Sequence, residues 1–498
     1  MNVNSGLRIV PIAVITFLIL CATVHAQHLT PAHRADYHFS WDGISSVLKI
    51  DVFYNTQGKD STVFIYGNPN PGGLTHIFEI LSSVQIDPGD QLEINSRERK
   101  VKVLHRTSGL KKLHYEINGK LYADTKRARP NEAFRPTIER GFFYALGFNL
   151  FMNIANGRYS QLSLVWDHWP QHMPYFISCN PEARPDEPQI IAHDDRNMVL
   201  LQMNENLIIK KYTVKDIPNY LLTSKSDTIN SMQEQMRPFI NTLIPQMRDA
   251  WQDHAFDYYF ISMIPLLNKV PSTMTGIGLK NGFSTRYSGP LDIEKTETIA
   301  HEVSHTWIGG RLKFKSVTME NEWFNEGVND YVAIYHLAKA GILDSTAFLN
   351  YVNKEVFEPY YTNPHNTLPA DSIEKYFWTS KDFEKIPYHR GFIYAFYLDN
   401  QIRLSSQGKY TLLNFLLHLY QQNRKRNIEV FTKVNFTEAA ERFLNKEQVK
   451  SEIENYMLNG KLLDFHHIQL TEGFQVKYVN QVPKISLSPG MPLSKLYY

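Results

Sequence analysis

The stretch His301-Glu302-Val303-Ser304-His305 decides how this chain is read. Two histidines four residues apart fall on one face of a helix, because a helix turns once every 3.6 residues. Both imidazoles then reach a single metal ion, and Glu302 stands beside them where it can move a proton. Three fixed residues are few enough to arise by chance on an ordinary exposed helix, so the surrounding sequence has to confirm the pattern. The flanks suit a helix beginning near Asp292. Asp292, Glu294 and Glu297 fit its N-terminal turns, and Ile299, Ala300, Val303 and Trp307 supply an apolar face. Gly309-Gly310 marks its expected end.

A catalytic zinc site needs a third protein ligand and an open position for water. Glu326 is the candidate, in Trp323-Phe324-Asn325-Glu326-Gly327-Val328-Asn329-Asp330-Tyr331, provided this run forms a second helix. Asp330 lies one turn further along the same face. There it is placed to accept the other ring N–H of a ligand histidine and fix its tautomer; the plainer alternative is a solvated helix acid. Together these residues resemble the gluzincin metallopeptidases, which ligate zinc by two histidines and a downstream glutamate. Within them the chain is similar to the M1 aminopeptidases and the related M61 glycyl aminopeptidases. Pro387-Tyr388-His389-Arg390-Gly391-Phe392-Ile393-Tyr394 resembles the tyrosine-bearing motif that follows the zinc site in those families. The likeness runs from about residue 190 to 460. It implies one Zn2+ held by His301, His305 and Glu326, with Glu302 as general base and Tyr388 donating to the developing oxyanion. Glu326 stands slightly further from His305 than in the usual M1 spacing, an insertion that the intervening loop absorbs.

One departure bears on selectivity. Where M1 enzymes carry G-x-M-E-N and M61 enzymes G-G-L-E-H, this chain has Ile277-Gly278-Leu279-Lys280-Asn281. The resemblance assigns Gly278, Leu279, Lys280 and Asn281 to substrate binding. Lys280 stands where the families' glutamate holds the substrate's α-amino group, and two cations repel. Lys280 either attracts a substrate carboxylate or points to solvent. The expected activity is zinc-dependent hydrolysis of peptide bonds in a peptide or protein substrate. Two alternatives stay open: a non-catalytic binding module on a peptidase scaffold, and an endopeptidase or a hydrolase of other amides or epoxides.

Composition agrees with a packed enzyme of several domains. The chain has 498 residues, 43% hydrophobic and 20% charged, with a net charge of +2. That balance gives no argument for nucleic acid as a partner. Arg8, the apolar stretch from Ile9 to Val24 and Val24-His25-Ala26 resemble a cleaved export signal over residues 1–26. The apolar run is shorter than the ~20 residues of a membrane span. The expected location is therefore periplasmic or secreted, with no stable membrane span after cleavage. Only Cys21 and Cys179 occur, so the mature chain holds one thiol.

The expected fold class is α+β. Residues 27–185 read as an N-terminal β-rich domain. Val47 to Val52 alternate, Val101 to Leu104 and Leu162 to Trp166 are further strands, and Asn118-Gly119 marks a hairpin between 114–117 and 120–123. Asn180 to Pro188 holds three prolines and is taken as a linker. Residues 186–405 are the expected thermolysin-like catalytic domain. It would include a helix from Ser226-Asp227 to Trp251, bent at Pro238 and Pro245, a buried strand over 258–264 and a glycine-rich edge strand over 275–283. Residues 406–462 read as a C-terminal helical region, with helices over 412–422, 437–444 and 450–458. Residues 463–498 form an extended tail. The sequence does not address oligomeric state.

Overall fold

The structure is a computed structural model. It describes residues 33–67, 77–120, 135–225, 232–266, 272–315, 319–377 and 379–493. The expected signal segment, the second half of the 114–123 hairpin, the Ser226-Asp227 helix start and the last five residues lie outside these ranges.

The first part of the chain is β-rich because its apolar residues recur every second position. In the strand Val47–Asn55, Leu48, Ile50, Val52 and Tyr54 are buried while the residues between them are not. This strand lies in a six-stranded sheet whose order is Gln189–Ala192, Gln161–His168, Arg34–Ser40, Val47–Asn55, Leu110–Asn118, Leu81–Ile86. Two four-stranded sheets complete the region. One sequence expectation is corrected here. The proline-rich segment near 185 is not followed directly by the next unit. Gln189–Ala192 pairs with Gln161–His168, and Leu200–Asn204 pairs with Phe142–Leu146. Both strands return to the N-terminal sheets, so on these pairings the division falls between Asn204 and Leu207 rather than at 185/186.

From Leu207 the chain builds a five-stranded mixed sheet, ordered Leu207–Val214, Ile217–Ser224, Tyr259–Pro265, Gly282–Ser288, Thr273–Leu279. Its three inner strands run parallel. Tyr259–Pro265 is buried on both faces, which is why it reads as an unbroken apolar run. The run 275–283 is not one strand. Thr273–Leu279 is the sheet's edge, Lys280-Asn281 is a tight turn with Asn281 at φ 58°, and Gly282–Ser288 returns beside it.

One face of this sheet packs on the N-terminal region, where Tyr144, Leu146, Phe176 and Leu200 meet Leu222, Phe260 and Leu279. Polar bridges cross the same contact: Gln202 donates to Ser262 (2.5 Å), and Tyr144 bonds Ser284 (3.0 Å). The other face carries the helices. A helical run over 232–251 contains a π-helical segment, Phe239–Leu243, immediately after Pro238. The remaining chain is mostly helical: Ser345–Thr362, Ala370–Tyr376, Lys381–Ser405, Leu412–Lys425, Lys433–Ala440 and Lys446–Leu458, two of these containing π-helical stretches. The helix expected over 437–444 is shifted four residues earlier. The tail is not simply extended. Phe474–Val479 and Val482–Leu487 form an antiparallel hairpin whose turn residues, Asn480 and Gln481, have φ of 50° and 64°. Among the described residues no helix is long and apolar enough to cross a membrane.

Candidate active site

The motif helix spans Ile293–Ser304. Its first turn is fixed by Asp292, whose side chain accepts from the Lys295 backbone N–H (3.0 Å). Ile299, Ala300 and Val303 are fully buried in the helical core, which leaves the opposite face free for chemistry. The helix stops at Ser304, earlier than the glycines suggest. His305 caps it, Trp307 and Ile308 tighten onto the Ser304 carbonyl, and the chain turns at Gly309 with φ 80°. Trp307 Nε1 donates to Asp253 (3.0 Å), anchoring that turn to the end of the 232–251 helical run.

Glu326 comes from a second helical run. Trp323–Val328 is wound as a π-helix and passes into the α-helix Asn329–Lys339. This run and the motif helix are tied where Asn329 Nδ2 donates to the His301 carbonyl (3.0 Å). The third element, Lys381–Ser405, carries Tyr388 and crosses the π-helical turn at two glycines. A Cβ on Gly327 would sit 2.5 Å from both the Gly391 Cα and the Tyr388 carbonyl oxygen. Only glycine allows backbones this close.

These helices bring three donors together. The His301 and His305 rings stand at 88° with centroids 4.4 Å apart. His301 Nδ1 bonds Asp330 Oδ1 (2.6 Å), and His305 Nδ1 bonds the Ile308 carbonyl (3.1 Å). Each acceptor engages Nδ1 and turns Nε2 of both rings toward Glu326, the orientation in which Nε2 binds a metal once it gives up its proton. Glu326 Oε2 lies 3.2 Å from His301 Nε2 and 3.6 Å from His305 Nε2. Tetrahedral ligands about 2.1 Å from zinc are separated by about 3.4 Å. The two nitrogens and the carboxylate therefore fit a zinc ion.

Glu302 is only 7% exposed, and its Oε2 has no hydrogen-bond partner. Burial pushes its carboxyl above the usual range, against the pull of the two histidines. The glycine-rich edge strand lies over it. A Cβ on Gly276 would be 2.5 Å from Glu302 Oε1, and one on Gly278 would be 2.9 Å from the His305 Cβ. The glycines thus leave room for the carboxylate and the imidazole. The Tyr388 ring stacks on His301, at 6.2 Å and 17°, and Lys385 Nζ lies 4.4 Å from the tyrosine ring centre. Burial and then the Glu326 charge raise the Tyr388 hydroxyl well above its ordinary pKa, so it is a proton-bearing donor.

Of the four residues assigned to substrate binding, only Gly278 faces the metal donors. Leu279 is buried on the opposite side of the strand, against the N-terminal contact. Lys280 and Asn281 form the turn, and Lys280 Nζ pairs with Asp195 Oδ2 (2.6 Å). The lysine side chain thus lies at the surface, 59% exposed, with Asp195 as its ion-pair partner. Gly276, Asn329 and Glu322 were not assigned any role in the site from the sequence, and Glu297 only a place in the N-terminal turns of the motif helix. Glu297, one turn before His301, is 8% exposed, and its Oε1 has no hydrogen-bond partner. Burial, with the nearby Asp330 charge second, pushes its carboxyl up to about 9. Glu322 precedes Glu326 by four residues, the spacing of the histidine pair, and that spacing was the available signal.

The geometry can be compared with known proteins. An aminopeptidase N family protein from Idiomarina loihiensis superimposes with a TM-score of 0.72 at 14% identity, covering 89% of this chain and 79% of that one. This chain has the fold of the M1 aminopeptidases. An M1 zinc metallopeptidase from Deinococcus radiodurans matches with a TM-score of 0.52 at 14% identity, over 89% of this chain and 97% of that one. A variant of a two-domain M1 zinc metallopeptidase bound to L-tryptophan matches with the same TM-score at 13% identity, over 88% and 96%. Among curated proteins, leucine aminopeptidase 2 of Emericella nidulans is 22% identical over 226 residues, 43% of this chain and 34% of that protein. Leucine aminopeptidase 2 of Aspergillus terreus is 24% identical over 234 residues, 43% and 37%. The matches thus span about a third of these curated relatives. No protein-family model matches the sequence.

Proposed function

We propose that this protein is a zinc-dependent metallopeptidase of the M1 aminopeptidase type, with residues 207–405 forming a thermolysin-like catalytic domain. The observation that carries this reading is the convergence of His301 Nε2, His305 Nε2 and Glu326 Oε2 within 4.8 Å of one another, beside a buried carboxylate with a spare oxygen. A zinc ion bound by these three would act as a Lewis acid and bring the pKa of a bound water toward ~7. Glu302, not itself a ligand, takes a proton from the attacking water and passes it to the leaving amine; its raised pKa suits that traffic. The Tyr388 hydroxyl donates to the oxygen of the carbonyl under attack as charge develops there. Asp330 holds His301 in orientation. The Gly276-Ile277-Gly278 edge lets an extended substrate backbone approach the donors without side-chain obstruction. Leucine aminopeptidases are the curated relatives, which favours removal of residues from a free amino end. Residues 1–26 serve as an export signal on this reading.

The test is metal content together with turnover. Purified protein should bind one zinc ion, a chelator should abolish peptide cleavage, and Glu302→Gln should keep the metal while losing at least a hundredfold in kcat. Absence of bound zinc, or full turnover by Glu302→Gln, refutes the proposal.

A further inference from the structure

Tyr388 does not stand alone on the helix Lys381–Ser405. Lys385 lies one turn before it, and residues three apart on a helix are neighbours. Its Nζ is 4.4 Å from the centre of the Tyr388 ring, the same ring that stacks on His301. The packing of the helix sets this contact. Ile386, Pro387 and Arg390 are buried, and the Arg390 guanidinium donates to the carbonyls of Asn366 (2.9 Å), Leu368 (2.9 Å) and Met457 (3.0 Å). The helix is thereby fixed about its own axis, with Lys385 exposed and Tyr388 half-buried. Among the described residues no carboxylate is paired with Lys385; its contact is the ring. A cation is drawn to a ring face electrostatically, and the same charge favours growth of negative charge on the phenol oxygen and on an oxyanion bonded to it. That growth is otherwise opposed, because the charges of Glu326, Asp330 and Glu384 all act against it at Tyr388.

We propose that Lys385 supports catalysis through Tyr388: its ammonium, held over the ring, strengthens the hydroxyl as a donor to the developing oxyanion. This rests on the peptidase reading. Lys385 is a positioning residue that moves no proton and need not touch the substrate; charge, not shape, is what it contributes.

The experiment uses zinc-loaded protein and a double-mutant cycle: wild type, Lys385→Met, Tyr388→Phe and the two combined, with Lys385→Arg as the conservative variant. Position 385 is exposed, and methionine, arginine and lysine suit a helix about equally, so the fold is preserved. The substrates are peptides of one sequence, ending in a free carboxylate or an amide. Lys385→Met should lower kcat about three- to tenfold on both, with KM changed by less than about twofold. Lys385→Arg should restore most of the loss, and about 1 M salt should shrink it. In the Tyr388→Phe background Lys385→Met should cost less than about twofold. A phosphinic peptide inhibitor, whose anionic oxygen mimics the oxyanion, supplies the same cycle without turnover: its affinity should fall on Lys385→Met only where the tyrosine hydroxyl is present. An equal loss with and without that hydroxyl, a KM increase confined to peptides with a free carboxylate, or an unchanged kcat overturns the assignment while the peptidase reading stands. If wild type cleaves neither peptide, both fall together.

Discussion

Replacing Glu297 by glutamine should make the protein more stable, and the gain should depend on pH. The carboxyl is buried, surrounded by acidic neighbours, and pushed up to about 9. In the unfolded chain it titrates near 4.5. Below 4.5 it is protonated in both states and costs nothing. Above 4.5 the unfolded chain gains by ionising while the folded chain must keep the proton, so stability falls steadily until the pH passes about 9. One pH unit is worth about 1.4 kcal/mol, so the penalty reaches about 3 kcal/mol at pH 7 and about 6 kcal/mol above pH 9 as an upper bound. Glutamine has the shape of the protonated acid and never ionises. Urea unfolding of wild type and Glu297→Gln, both with chelator so that metal binding does not add its own pH dependence, should give nearly equal stabilities at pH 4.5. The variant should lead by 1–3 kcal/mol at pH 7 and by more at pH 8.5, roughly as the titration dictates. A gap of the same size at every pH, or a variant that is weaker throughout, refutes the reasoning.

Three further outcomes follow from the same geometry. Asp330→Asn should weaken zinc binding about 10- to 100-fold, because the His301 ring exchanges an anionic acceptor for a neutral amide whose NH2 can also face Nδ1; competition with a chelator measures this. Gly276→Ala forces a methyl group to within 2.5 Å of Glu302 Oε1, so it should keep the metal yet lose about tenfold or more in kcat, read from zinc content and steady-state kinetics. Lys280→Glu should not improve cleavage of free-amine peptides, since position 280 lies in the turn facing Asp195; with the lysine side chain 59% exposed, thermal denaturation should show a change within about 1 kcal/mol.

Much of this arrangement is local in the chain and was legible there. The alternation in Val47–Asn55, the Asp292 cap and the four-residue histidine spacing are short-range signals, and each has its counterpart in the structure. What escaped was long-range or cooperative. The prolines around 185 look like a boundary, yet Gln189–Ala192 and Leu200–Asn204 go back to sheets begun some fifty residues earlier or more, and nothing local announces such pairings. The turn at Lys280-Asn281 had a cue in Asn281-Gly282, masked by the glycine-rich strand around it. The structure places Lys280 in the turn beside Asp195, with its side chain exposed. The π-helical winding at Trp323–Val328 has no composition signature; it appears where tertiary packing accommodates an extra residue in the turn.

The contact of Gly327 with Gly391 has a mechanical consequence. It presses the turn that carries Glu326 against the helix that carries Tyr388, backbone to backbone, with no side chain between them to slide or re-pack. The two residues are welded: a shift of one helix drags the other. An inhibitor designed to displace Tyr388 would have to deform the turn that carries Glu326 with it.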